Sequence, residues 1–389
     1  MDKIKVSDIF KKYTMIIALI LVILFFQIGT GGKILFAQNI NNLISQNAYV
    51  FVLAAGMLCC ILTGGNIDLS VGSVVCFTGG IGAAMMASGT NMIVAVLVML
   101  AVGLLVGMFQ GFWIAYIKVP PFIATLAGMY AFRGLSNVVL QGFAVSVTDT
   151  AFLNIFGGGA DCYVPDFIGS GELNITCLVA GIVIAAIYIL ITVRGRISRK
   201  AKGYEVAPLT GEVIKTVLIS AVVIWLFYKL ANYKGISAAL IWIALILMIY
   251  SYITKKTTIG RYLYAVGGNE KATRLSGVNT KRVYFIAYAN MGLLAGLAGI
   301  LTIARAASAQ PTYGQGYEMD AIAACFIGGA SAYGGIGSIM GMVVGATLMG
   351  VINQGMSIMG INANYQSVVK GVVLLVAIIF DVMSKKEKN

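Results

Sequence analysis

Apolar residues run along this chain in blocks long enough to cross a bilayer, not in short amphipathic stripes. A helix crosses the hydrocarbon core with about 20 mostly apolar residues. On that measure spans are predicted at 13–31, 44–63, 70–89, 92–117, 121–140, 173–193, 212–230, 236–254, 283–303, 319–334, 337–358 and 364–383. Two blocks differ from the rest. Block 121–140 contains Arg133, and 319–334 is short, so either can be a broken or re-entrant helix. Residues 14–28 follow Lys11 and Lys12 as a signal-peptide core would. No small-x-small cleavage site comes after them, and they read as an uncleaved first span.

Charge strengthens this reading. Residues 69–117 and 321–369 are each 49 residues without a formal charge. Charged residues make up 11% of the 389-residue chain, whereas a soluble domain carries about 25%. Hydrophobic residues reach 59%, and mean hydropathy is +0.92. The fold class that follows is an all-α polytopic membrane protein with about 10–12 transmembrane helices. A secreted domain, a soluble enzyme and a nucleic-acid binder are excluded. The net charge of +13 then reports cytoplasmic loops rich in Lys and Arg, and not an anionic partner.

Those cations orient the chain. Four lie at 3–12, six at 194–215, seven at 255–282 and three at 385–388. Six, two and four spans separate these clusters, which places all four, and both termini, on the cytoplasmic side. Segment 141–172 has no Lys or Arg and reads as the largest external loop. There is no histidine, so imidazole bases and His metal sites are absent. The six cysteines form no CxxC pair and read as buried free thiols. No metal site, no cofactor and no catalytic residue is expected in this chain.

Glycine adds a second pattern. Gly103, Gly107 and Gly111 recur every fourth residue, as do Gly337, Gly341 and Gly345, and the pair Gly292 and Gly296. Such stripes let helices approach closely, for packing alone or also for sliding. Asp68 and Lys118 bound one uncharged 49-mer, and Asp320 and Lys370 bound the other, which suggests an inverted repeat.

Charges inside lipid cost about 2.5–3.5 kcal/mol each on insertion scales, so each is a functional candidate. They are Asp68, Arg133, Asp320, Lys370 and Asp381, with Lys118 and Arg305 at span edges. Neither Asp68 nor Asp320 is central enough for a convincing ion-coupling site. Stretch 64–73 is glycine-rich and polar, either a broken helix capped by Asp68 or Ser70 or a plain turn. Stretch 328–338 has the same character. A pathway for a neutral, hydroxyl-rich solute would use amides and aromatics: Asn66, Asp68, Gln110, Trp113, Asn290, Asn353 and Gln354, together with Thr125. Each also reads as an interhelical hydrogen bonder. No phosphate-binding loop motif occurs.

Segment 255–282 carries the most local information. Gly267 and Gly268 break the chain, Asn269 can cap a helix over 270–276, and Gly277 can end it. A two-turn helix with Ala272, Leu275 and Ser276 on one face is a docking element, or else a solvated basic loop.

At this segment a resemblance emerges. Ala265-Val-Gly-Gly-Asn-Glu-Lys-Ala-Thr-Arg-Leu-Ser-Gly-Val-Asn279 resembles the cytoplasmic signature of permeases from bacterial monosaccharide ABC importers. Gly65-Asn-Ile-Asp-Leu-Ser-Val-Gly-Ser73, Pro121-Phe-Ile-Ala-Thr-Leu-Ala-Gly128, Glu318-Met-Asp-Ala-Ile-Ala-Ala-Cys325, Gly334-Gly-Ile-Gly-Ser338 and Asn353-Gln-Gly-Met-Ser-Ile-Met359 also match. Gly128-Met-Tyr-Ala-Phe-Arg-Gly134 and an inserted hairpin at 173–235 are most similar to the xylose-type permeases. The resemblance runs from about 40 to 383.

It implies an architecture like the vitamin-B12 importer permease, one transmembrane domain over 1–389, in the bacterial cytoplasmic membrane. It implies an external binding protein that delivers xylose, arabinose, galactose or ribose, and a permease homodimer. A cytoplasmic ABC ATPase, with tandem nucleotide-binding domains, would hold ATP and Mg. Its coupling contact would be Gly268, Asn269, Glu270, Ala272, Thr273, Leu275 and Gly277. An ion-coupled secondary transporter or channel remains the alternative, and a lipid-acting enzyme a remote third.

Overall fold

The apolar blocks fold as helices in a computed structural model that describes residues 6–386, except 170, 205 and 207. The side chains of 6–14, 380, 381 and 383–386 are outside the described set. The basic clusters at 3–12 and 385–388 and Asp381 therefore lie outside the described residues.

The helices are α1 (Val6–Gly29), α2 (Ala37–Gln46), α3 (Ala48–Leu62), α4 (Val71–Ala87), α5 (Met92–Phe112), α6 (Pro121–Leu140), α7 (Thr150–Phe156) and α8 (Ile175–Ala201). They continue as α9 (Leu209–Ala231), α10 (Ala238–Lys256), α11 (Thr258–Gly268), α12 (Glu270–Leu275), α13 (Thr280–Ala306), α14 (Tyr317–Ile327), α15 (Ile339–Ile358) and α16 (Ala363–Lys386). Among the described residues seven are long and apolar enough to cross a membrane, and α2 with α3, bent by 43°, makes an eighth. Three shorter apolar helices add to these. The eleven segments and the half-length α14 occupy the twelve predicted blocks.

Three blocks depart from their predicted form, each for a physical reason. Block 44–63 starts earlier and bends at Asn47, where the polar α2 meets the apolar α3. Block 319–334 is a half-crossing, because α14 stops at Ile327 and Gly329 adopts φ +82°. Block 121–140 is an unbroken helix in spite of Arg133. Its Nη1 donates to the carbonyls of Pro311 (3.1 Å) and Tyr313 (2.7 Å), which engage two of the five guanidinium donors of a half-buried side chain.

Helix α3 is the centre of the molecule, with every residue from Val50 to Leu62 buried. Helix α13 is next, 78% buried over its most apolar window, against 17% for α8 and 11% for α9. The α8–α9 pair lies at the periphery and presents apolar side chains to lipid. The glycine stripes of α5 and α13 meet each other. A Cβ at Gly103 would lie 2.5 Å from the Gly292 carbonyl oxygen, and one at Gly107 would lie 2.9 Å from Gly292 Cα. The stripe on α15 faces α14 instead, with Gly341 and Gly345 against the carbonyls of Gly328 and Ala324.

The 27-residue α13 runs between two ends of the molecule. At one end β1 (Val145–Ser146) pairs antiparallel with β2 (Ser308–Ala309), Val145 opposite Ala309. Asp166 organises the same loop region. Its carboxylate accepts the Thr176 hydroxyl at 2.7 Å and backbone N–H groups of Gly169, Ile175 and Thr176, which hold it well below the usual carboxylate range. At the other end lie 63–70, 113–120, 257–280 and 328–338. The loop 141–172 and the segment 255–282 are thus at opposite ends, as the charge parity requires.

Candidate functional site

The short helix forms over Glu270–Leu275, one residue shorter than its sequence suggests. Asn269 caps it, its side-chain oxygen accepting from the Ala272 N–H at 2.9 Å. Gly277, at φ +85°, ends it, a conformation for which glycine carries no steric penalty. Its inner side is tied down. The Glu270 carboxylate accepts from Thr280 Oγ1 (3.1 Å) and the Tyr284 hydroxyl (3.3 Å), both on α13. Buried Thr273 donates to the Ala265 carbonyl of α11 at 2.8 Å. The outer side is bare: Ala272, Leu275 and Ser276 are exposed, Leu275 at 86%. Gly268 is exposed as well.

Directly behind this helix, the three glycine-rich stretches flagged in the sequence converge. The Gly335 N–H donates to the Leu62 carbonyl at 3.1 Å. Cβ atoms at Gly65 and Gly267 would fall inside the carbonyls of Ala332 and Leu62, and one at Gly335 would lie 2.8 Å from the Gly268 nitrogen. Only glycine allows backbones this near to each other. A groove of about 530 Å3 opens beside the junction, lined by Asn66, Lys118, Glu270, Arg274, Lys281 and Tyr284 among others. Lys118 follows a π-helical turn, Trp113–Ile117, and adopts φ +65°.

The pathway residues do not form one line. Asp68 and Gln110 do meet, through Ser70. Asp68 Oδ1 accepts the Ser70 N–H (2.8 Å) and hydroxyl (2.7 Å), and Gln110 Nε2 donates to Ser70 Oγ at 2.7 Å. This corrects the capping expectation: Asp68 engages Ser70 itself, and Ser70 makes no side-chain cap on α4. Buried Gln110 Oε1 and Ser73 Oγ lack partners in this network among the described residues. Asn66 is apart, in the basic groove. Asn290 accepts from the Tyr250 hydroxyl. Asn353 donates to Asn47 Oδ1 at 3.3 Å, pinning the α2–α3 bend, and Gln354 is buried beside it in sequence. Thr125 is buried and returns its hydroxyl to the Pro121 carbonyl. Trp113 is 39% exposed in a cluster with Phe109 and Phe112, on the outer side of α5. A helix apolar all round gives no clue to which side faces lipid.

A second polar cluster was half visible. Asp320 and Lys370 bound the uncharged run in sequence, and they pair in space at 2.9 Å. Tyr49 also donates to Asp320 Oδ2, at 2.6 Å, and its ring gives no sequence signal for that role. Asp68 and Lys118 are not paired in this way, so the two halves of the suspected repeat differ at this point. Among the described residues no three Cys, Asp or Glu side chains gather as a metal site. The six cysteines are free and buried.

Residues 39–378 match the family described as branched-chain amino acid transport system / permease component. The chain is 37% identical over 376 residues to the xylose transport system permease protein XylH of Haemophilus influenzae, covering 96% of this chain and 97% of that one. It is 37% identical to XylH of Escherichia coli K12, covering 96% and 92%. It is 34% identical over 344 residues to the ribose import permease protein RbsC of the same organism, covering 88% and 85%. No solved structure matches the chain.

Proposed function

We propose, from the premise that the chain belongs to the branched-chain amino acid transport system / permease component family, that it is the membrane-spanning subunit of an ATP-driven monosaccharide importer. The support is near full-length likeness to permeases named for xylose and ribose. It is a transport subunit of a bacterial inner membrane, not an enzyme. A separate ABC ATPase, with tandem nucleotide-binding domains, hydrolyses ATP with Mg. An external binding protein delivers the sugar, and a second copy of the permease completes the pathway. Segment 173–235 is the inserted hairpin, 141–172 the external loop and 255–282 the coupling loop.

One observation carries the ATPase assignment: a capped two-turn helix bonded to α11 and α13 on one side and bare on the other. Pressure on Ala272 and Leu275 has two exits. Glu270 transmits it to the start of α13, and Gly267–Gly268 transmits it to the ends of α3 and of the 328–338 loop. Asp68 and Gln110, joined through Ser70, follow Asn66 along the chain from this joint. Asn66 lines its cytoplasmic mouth.

Glu270→Arg with Leu275→Asp is expected to abolish co-purification of the ATPase while the permease remains inserted. Normal co-purification would refute the coupling role. Cells that hold its ATPase and binding protein should take up at least one of labelled xylose, arabinose, ribose and galactose with this chain and not without it. Uptake of leucine alone would overturn the sugar reading. Purified permease that moves solute uphill in sealed vesicles on an ion gradient would establish the secondary-transporter alternative.

Orientation is testable at Gly171, exposed with nothing within 4 Å of a Cβ there. Gly159 is unsuitable, because a Cβ would strike Asn154. A Gly171→Cys protein lacking Cys162 should react with an impermeant thiol reagent in intact cells. Reaction only after lysis would reverse the topology and put the termini outside.

A further inference from the structure

At the end that carries β1 and β2, the α2–α3 bend, the last turn of α13 and the start of α14 enclose a pocket of about 130 Å3. Its character differs from every other polar site described above. Three tyrosines line it, Tyr49, Tyr313 and Tyr317, together with Gln46, Thr302 and Arg305. The rings of Tyr49 and Tyr317 stack, 3.6 Å between centroids and 13° between planes. Tyr313 shares a hydrogen bond with Ser308 at 3.2 Å.

The aromatic wall is locked from behind. The Tyr49 hydroxyl donates to Asp320 Oδ2, which also accepts from Lys370. Turning the Tyr49 ring would break a charge-assisted bond inside the membrane domain. The rim, by contrast, is free. Arg305 is exposed, and no hydrogen bond or ion pair to a described residue engages its guanidinium. Its five donors are in a fixed fork.

We infer that this pocket receives one monosaccharide as it leaves the external binding protein, before it passes inward. The inference rests on the importer reading and adds residues outside the pathway set considered above. The chemistry matches part by part. A sugar ring has a C–H face that packs on an aromatic ring and an edge of adjacent hydroxyls that a fork of donors can engage. At about 130 Å3 the pocket is no larger than the cavity of about 150 Å3 that takes benzene, so it seats one face of the sugar and does not enclose the whole molecule. Two faces of contact and one free cation make a weak site, which suits a station that must release its cargo. The locked Tyr49 holds the ring face in place while Arg305, on the last turn of α13, belongs to the same helix that Glu270 engages at the far end. Displacement of α13 by the ATPase therefore moves Arg305 relative to the tyrosines and loosens the site in step with transport.

The test uses the full chain with its ATPase in membrane vesicles. Ser45→Cys places a thiol on the pocket wall, and an impermeant maleimide reports access to it. The probe is whichever of xylose, arabinose, ribose and galactose the cells take up, at about 20 mM, well above the ~1 mM dissociation constant of a weak site. Labelling should slow roughly twentyfold, and equal mannitol should leave it unchanged. Arg305→Gln and Tyr317→Ala should remove the protection, while Tyr317→Phe keeps it. Equal labelling with sugar and mannitol, in cells that do take up the sugar, overturns this inference and leaves the importer reading intact. Cells that take up none of the four sugars overturn the importer reading instead. Protection that survives Arg305→Gln, with loss of binding-protein association, makes Arg305 a docking contact and also overturns the inference. Protection by the corresponding sugar acid and not by the sugar does the same.

Discussion

Lys370→Met is expected to destabilise the folded permease by about 3–5 kcal/mol, the range for removing one partner of a buried ion pair. The carboxylate it leaves behind is fully buried, whereas the Lys370 side chain is 21% exposed. The damage is therefore asymmetric. Asp320→Asn strands a lysine whose stem can carry the ammonium outward toward headgroups, and it keeps an acceptor for the Tyr49 hydroxyl. It should cost clearly less than Lys370→Met. The double variant Asp320→Asn with Lys370→Met removes both charges and should recover most of the loss, as neutral replacements of buried pairs do. Thermal unfolding and monodispersity of the detergent-purified proteins give the four corners of this cycle. Equal melting of wild type and Lys370→Met would show that the pair contributes nothing. Equal costs for the two single variants would show that burial is not what separates them.

The same pair marks the boundary between what was legible in the sequence and what was not. Local chemistry was legible. The cap at Asn269 and the stop at Gly277 are contacts over a few residues, and the helix between them formed as expected. Bilayer-length apolar blocks were legible for the same reason, because each helix satisfies its own backbone. Partnerships across the chain were not. The bend at Asn47 is pinned by Asn353, 306 residues away in the chain. Arg133 is tolerated in α6 because two carbonyls of the loop before α14 accept its donors. Two glycine-rich stretches legible as turns, and the Gly267–Gly268 pair that reads as a break yet ends α11 in helical form, gave no sign that they meet under one helix. Of the candidate pathway set, Asp68 and Gln110 meet through the Ser70 hydroxyl, a link to which the sequence did not point. Trp113 stands 39% exposed at the start of the π-helical turn after α5, and the all-apolar run before it carries no periodicity that would have placed it.

A methyl group at Gly292 is expected to be among the most damaging single additions in the transmembrane core. Gly292 faces Gly107, and a Cβ there would lie 2.6 Å from the Gly107 backbone nitrogen and Cα, with the Gly103 carbonyl nearer still. Each obstacle is backbone, so no side chain can turn aside. The two helices must separate along the whole crossing of α5 and α13. Overpacking typically costs about 1–3 kcal/mol, and a backbone-on-backbone clash belongs at or above the top of that range. The reciprocal Gly107→Ala meets the Gly292 Cα at 2.9 Å and should fail in the same way, and the double variant should not rescue either. Gly134→Ala, with open space around it, should be neutral and sets the baseline. The consequence for transport follows from what each helix connects. Helix α13 starts at the residues that hold Glu270, and α5 runs into the π-helical turn and Lys118 beside the same groove. On the proposed function, spreading this crossing would detach Gln110, the candidate pathway group on α5, from the helix proposed to receive the ATPase's push. Gly292→Ala should therefore abolish sugar uptake even in any fraction that folds, and in that fraction the ATPase should still co-purify, because α12 is untouched. Undiminished uptake by Gly292→Ala would mean that the α5–α13 crossing is neither tight nor part of the transmission.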